Sequence, residues 1–424
     1  MKIMHASDLH YSPTNLVEAD RCFGFAVEEG IRRNVEAAII SGDSTDHRLE
    51  AHSPAFLALA KRLKQLADHC PVLLIQGTFF HEPAGMLHIL GMIGAKHPIV
   101  VSDRIEMIGL QHGQWGTFDP HNTGYDLVVT CVPTVNKADL ALQVGAENAN
   151  EAMGEHLAVL LASFGPANDR LRAQGVPTVL VTHGTIDGSM TEAGVPMVGQ
   201  DHEFTAGSLF SAGTSAVMLG HIHKHQAWER NHHNVEQRAA YPGSVGRFHY
   251  GEIGEKYFLL WDVEASTASI EPIATPSRRM IDIAFDGAPD LAQLAEVIEQ
   301  CEGAYVRVRY SVDEEYAKTV DRNGIKDLLQ RAAELKIEGN VLPIQRQRCA
   351  GISALPALEE RFVKWAEHTQ TPIEGLLDRL ATLRSQDPVD IVTAFRRRLG
   401  ALTAQAKDQS LPTAPKQSLA SMAI

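Results

Sequence analysis

Five times between residues 4 and 223, a short apolar run stops at an aspartate or a histidine. Lys2–His5 leads to Asp8-Leu9-His10, and Ala37–Ser41 leads to Gly42-Asp43-Ser44-Thr45-Asp46-His47. Val72–Gln76 leads to Gly77-Thr78-Phe79-Phe80-His81-Glu82, Thr178–Thr182 to His183-Gly184, and Ala216–Gly220 to His221-Ile222-His223. Each run reads as a buried strand, and Leu127–Val132 as a further one. The amphipathic stretches Glu18–Asn34, Phe56–His69 and Asn148–Phe164 read as helices between them. Strands alternating with helices through short loops predict an α/β core of layered sheets. In such folds, sites lie outside the carboxyl ends of strands, where these polar motifs fall.

The residue types point to metal chemistry. Asp8 and His10 are spaced i, i+2, which puts both side chains on one side of an extended segment, within reach of one ion. His221 and His223 share that spacing, a common one for metal ligands. Glycine at position 42 lets the backbone turn and presents Asp43, whose carboxylate can bridge two cations. His81 precedes Glu82, and an acid beside an imidazole can support a proton donor. Carboxylate plus imidazole without cysteine favours Mn, Fe, Mg or Zn in a hydrolytic site over a structural zinc site. Two ions roughly 3.5–4 Å apart would activate a water and clamp phosphoryl oxygens.

A chain of 424 residues is too long for one core, so two or three domains are expected. Residues 1–275 carry the strand-end motifs and close with Tyr257–Asp262 and Ala268–Pro272 as strands. A small mixed module is expected over 276–350, with strands at Met280–Phe285, Ala304–Tyr310 and Val341–Gln345 and helices at Asp290–Gln300 and Ile325–Leu335. Residues 351–403 read as amphipathic helices, which bury one stripe against their own domain or against a partner. Residues 404–424 are rich in Ala, Gln, Ser, Pro and Lys, the composition of a disordered tail.

The formal net charge is −14, which argues against gripping nucleic acid through a broad basic surface. Bound divalent ions could still supply local positive charge for a phosphodiester. Arg307 and Arg309 alternate on one strand of the small module and could face phosphates. No apolar run reaches the roughly 18 to 20 residues that span a bilayer, and MKIMHASDLH lacks a signal-peptide core. Five separated cysteines without a CxxC pair suit reduced thiols, so a cytoplasmic protein without membrane contact is expected. The chain has no P-loop, so any ATP-driven step needs another subunit.

With these motifs in this order, the sequence resembles the calcineurin-like metallophosphoesterases. Tyr241-Pro242-Gly243-Ser244 followed by Gly251-Glu252 resembles the stretch after GHIH in the SbcD-type DNA repair nucleases. The motifs cover residues 4–252, and the module order extends the likeness to about residue 400. The resemblance implies a four-layer α/β/β/α sandwich, a capping domain over 276–350 and C-terminal helices. It implies a metal-dependent DNA exonuclease or endonuclease with two divalent ions, Mn²⁺ before Mg²⁺, Fe²⁺ or Zn²⁺. One ion would take Asp8, His10, Asp43 and His223, and the other Asp43, His183 and His221. His81 would stabilise the transition state or donate a proton. The implied partners are DNA, a second copy in a homodimer, and an SbcC-type coiled-coil ATPase bound through residues about 355–400. The chain departs from the family where GNHD is usual: it reads GTFFHE, without the asparagine that serves the second ion. Either Thr78 or a water takes that place, or the second ion binds weakly. A phosphatase or small phosphodiesterase, or a weakly active scaffold subunit, are the alternatives.

Overall fold

The structure is a computed structural model that describes residues 1–50, 52–134, 149–192, 194–196, 203–232, 235–252, 254–343, 349 and 351–408. Tertiary contacts divide the chain into two units, Met1–Leu342 and Pro343–Ile424.

Within the first unit, two sheets stack face to face, and the period-two alternation of their strands shows how. The first sheet runs, in spatial order, Ala268–Ala274, Tyr257–Val263, Lys2–Ala6, Ala37–Ile40, Val72–Ile75 and Ile99–Ser102, the last four parallel. Met4, Ala38, Ile40 and Leu74 point outward and bury against the helices Leu16–Arg32 and Pro54–Ala67. Their neighbours Ile3, Ala37, Ile39 and Leu73 point inward. There they meet Val129, Val179, Val181 and Met218 of the second sheet, with Trp261 closing the layer. The second sheet runs Gln226–His232, Val235–Tyr241, Ala216–Gly220, Thr178–His183, Leu127–Val132, Glu106–Gln111 and Gln114–Thr117. Its outer face, Leu180, Val217 and Leu219, is covered by Leu157 and Leu161 of the helix Ala149–Ala173 and by Leu209 and Phe210 of Ala206–Ser211. The result is the expected four-layer α/β/β/α sandwich.

The helix expected at Asn148–Phe164 continues through Gly165-Pro166 to Ala173. Its second half is anchored by buried Leu171 and by Asn168 Nδ2 donating to the Ala212 carbonyl, at 2.7 Å. Asn148 itself lies outside the described residues.

Residues 280–342 form a three-stranded parallel sheet, Met280–Asp286, Tyr305–Asp313 and Glu334–Leu342. Val306 and Val308 pack with Leu294, Ile325 and Leu329 of the covering helical segments. Two expectations are corrected here. The helix placed at Ile325–Leu335 is Arg322–Leu328, and the strand placed at Val341–Gln345 is Glu334–Leu342. Leu335 and Ile337 alternate with charged residues and pack on the module's core, so burial favours a strand over a longer helix. Residues 344–345 lie outside the described residues.

The second unit contains the helices Leu358–Thr369, Leu376–Ser385 and Pro388–Asp408. The last helix extends beyond residue 403, where the tail was expected to begin; residues 409–424 lie outside the described residues. Leu358, Trp365, Leu383, Val389 and Phe395 are exposed. Among the described residues, no helix is long and apolar enough to cross a membrane.

Candidate metal centre

Parallel strands of both sheets end at the same edge of the sandwich, so the five motifs converge. The loops after Lys2–Ala6 and Ala37–Ile40 keep a ladder beyond their strands. Asp8 N–H donates to the Gly42 carbonyl, and His10 N–H to that of Asp43, each at 3.1 Å. Asp8, His10, Asp43 and His221 all adopt left-handed backbone conformations, with φ of 51°, 46°, 50° and 102°. Non-glycine residues rarely do so, and each such residue costs about 1–3 kcal/mol, a strain that concentrates at functional sites.

Among the described residues three groups of ligand atoms result: Asp8, His10 and His223; Asp43, His183 and His221; and His10, Asp46 and His81, with the ligand atoms of each within 4.8 Å of one another. The Nε2 atoms of His10 and His223 face each other at 3.0 Å, and Asp8 Oδ1 lies 4.0 Å and 3.9 Å from them. Asp8 also accepts the His221 N–H, at 3.1 Å. In the second group, His183 Nε2 is 3.2 Å from Asp43 Oδ2, while its Nδ1 faces the Ser41 carbonyl at 2.7 Å. That contact leaves Nε2 as the ligating nitrogen.

The electrostatics suit cations. Asp8 and Asp43 are 0% and 3% exposed. Among the described residues, neither has a lysine or arginine partner; their ion-pair neighbours are the histidines. Buried carboxylates are costly without a positive partner; Asp43 has one in the His183 imidazolium, whose charge a divalent ion would replace. Burial, reinforced by the neighbouring imidazoles His223 and His183, lowers His10 and His221 to about 4, so both are neutral and ready to coordinate. Burial opposes charge on His183 too, but Asp43 overcomes it and raises His183 to about 9. Asp43 is in turn held well below the usual carboxylate range by His183, against the pull of burial.

Thr78 occupies the position where the asparagine is missing. Its N–H donates to Asp43 Oδ1 at 2.7 Å, and its hydroxyl lies 3.2 Å from Asp43 Oδ2 and 3.3 Å from His183 Nε2. Phe80 is 69% exposed, and its ring lies edge-on to those of His47 and His81, at 4.7 Å and 5.6 Å. Glu82 does not join the ligands. It is buried and accepts the N–H groups of Ser44 and Gly77, clamping the two loops together. Burial and then the Asp43 charge raise it to about 7.

His81 sits over the first group, its ring edge-on to His10 at 4.9 Å. Its Nδ1 is 3.2 Å from Asp46 Oδ1. Burial would lower this imidazole, but the Asp46 hydrogen bond raises it, so it holds a proton more readily than a free histidine. The sequence reading gave no role to Asp46; the i+3 spacing from Asp43 was its only signal. Nor did it give one to Glu252, whose Oε1 lies 2.5 Å from His223 Nδ1 and turns Nε2 toward Asp8 and His10. Burial works against the Glu252 charge, but His223 brings it down to about 2.

Arg307 and Arg309 are not among the converging groups. Both fork onto Asp282 of the neighbouring strand, at 2.8–3.1 Å, and Arg307 also lies 5.1 Å over the Tyr250 ring.

No family model and no curated protein matches the chain. Among solved structures, it is similar to a dimetal phosphatase from Danio rerio, with 10% identity and a TM-score of 0.40, over 64% of this chain and 98% of that one.

Proposed function

We propose that the chain is a metal-dependent phosphodiesterase acting on DNA, a nuclease subunit that works with a coiled-coil ATPase. The observation that carries the hydrolytic part is the pair of carboxylate–imidazole groups at one sandwich edge, built on strained backbone and without fixed cations. Asp8, His10, Asp43 and His223 would hold one ion, and Asp43, His183 and His221 the other, with Thr78 beside the second. Two divalent ions there, Mn²⁺ first among them, would generate the nucleophile from water and clamp the phosphoryl oxygens. His81, whose hold on a proton Asp46 strengthens, is placed to donate it to the leaving oxygen. Glu252 fixes which nitrogen of His223 faces inward, and Glu82 holds the two ligand loops in register.

The choice of DNA rests on the sequence resemblance around Tyr241–Ser244 and Glu252 and on the small module that follows. The exposed apolar residues of the C-terminal helices support an ATPase partner. Arg307 and Arg309 would offer phosphates what charge Asp282 leaves them. The test is metal content after incubation with Mn²⁺, together with cleavage of linear DNA. Two ions per chain and cleavage lost in His81→Ala are expected. Fewer than two ions with no DNA cleavage would sink the proposal. Turnover of a small chromogenic phosphodiester alone would favour a small-substrate phosphodiesterase.

A further inference from the structure

Away from the metal centre, the first turns of the helix Leu16–Arg32 and the segment entering the small module enclose a cavity of about 350 Å³. Its charged lining is three guanidinium groups, Arg21, Arg278 and Arg279, against one carboxylate, Glu18. In a chain of net charge −14 such a concentration of positive charge runs against the whole-protein balance.

Glu18 pairs with Arg21 and offsets one of the three guanidinium charges; among the described residues, Arg278 and Arg279 have no carboxylate partner. Glu18 is buried, and Oε1 accepts the backbone N–H groups of Arg247 and Arg278 at 3.1 Å and 2.7 Å, while Oε2 pairs with Arg21. Arg278 is held rigidly: its guanidinium lies 4.4 Å over the Tyr305 ring, and its Nε donates to the Arg247 carbonyl at 2.8 Å. Among the described residues, its two terminal amino groups meet no acceptor. Arg279 donates one amino group to the Glu302 carbonyl and has donors to spare. Pre-oriented, unsatisfied guanidinium donors around one concavity match the oxygens of a phosphate.

We propose that this cavity binds a phosphate group, belonging either to the backbone of a bound nucleic acid or to a free phosphate compound. The position is consequential, because the segment linking it to the metal centre is short. Arg247 is fixed by Glu18, and the adjacent Phe248 packs its ring 5.5 Å from that of His10.

The test is titration calorimetry on the full chain in EDTA, so that no metal ion competes, with inorganic phosphate and with a short DNA duplex as separate probes. The variant is Arg21→Gln with Arg279→Gln, both exposed side chains, with folding checked by circular dichroism and Arg279→Gln alone as the milder change. Losing charge-assisted hydrogen bonds should weaken binding about tenfold or more. Weakened duplex binding assigns the cavity to a nucleic-acid backbone. Weakened phosphate binding with duplex binding unchanged assigns it to a free phosphate compound. Binding of both probes that is absent, or unchanged in the folded variants, overturns the proposal. Metal content and catalysis do not enter the readout, so failure here leaves the hydrolytic reading untouched.

Discussion

Thr78 bears the consequence of the missing asparagine. Its hydroxyl reaches both Asp43 and His183, so a water or the oxygen itself can complete the second group. Thr78→Val keeps the shape and removes the oxygen. It should weaken the second ion by about 10-fold to 100-fold, the range for supporting partners of a metal site. Calorimetric Mn²⁺ titration checks this, and two undisturbed binding steps would exclude the role. Glu252→Gln should instead weaken the Asp8/His10/His223 side by a similar factor, since it loosens His223 and leaves His183 alone. His183 also sets a pH dependence. In the metal-free protein it is protonated below about 9, and only neutral imidazole coordinates. Ion binding therefore expels its proton, and affinity should climb with pH and level off above about 9. Calorimetry in buffers of different ionisation enthalpy should find close to one proton released per second-site ion at neutral pH.

At the scale of elements, the site exists because strand ends meet at close quarters. Gly220 ends its strand against the neighbouring loops, where a Cβ would sit 1.9 Å from the Ser41 carbonyl oxygen and 2.4 Å from Ser7 Oγ. Gly42 has φ of 96° and leaves room for His183, whose Nδ1 would be 2.3 Å from an added Cβ. Gly220→Ala must push the two sheets apart at this edge. A loss of about 1–3 kcal/mol of stability in urea unfolding is expected, together with weaker ion binding. An unchanged unfolding midpoint would show that the edge is looser than the contacts imply.

For the whole molecule, the first unit carries the candidate ligands, the cores of the sandwich and the core of the small module. A fragment of residues 1–342 should therefore fold and bind Mn²⁺ with the stoichiometry of the full chain. It should also fail to bind the proposed ATPase partner, whose docking surface would lie in the second unit. Pull-down and metal analysis on the same fragment separate these outcomes. Net charge adds a condition: with −14 overall, only local cations can grip a duplex, so its binding should fall with added salt with a slope set by the few phosphates they contact.

The strand-end motifs alone placed Asp8, His10, Asp43, His183, His221 and His223 at one edge, because period-two burial fixes where a strand ends and its ligands begin. Layered sheets were legible from the strand–helix alternation, whereas the four layers came from the family resemblance; Ile3 and Met4, or Ala37 and Ala38, declare their opposite faces only once the sheets pack. The strand Glu334–Leu342 was missed because LKIE fits a helix as well as a strand until Tyr305–Asp313 lies beside it. The roles of Asp46 and Glu252 and the cavity at Arg278 were beyond sequence for a related reason. Each acts through a partner distant in the chain, His81, His223 or Glu18, and no local period encodes that meeting. Identity and spacing determined which atoms could bind a metal ion, whereas the packing of one sheet on the other decided which carboxylate orients which imidazole.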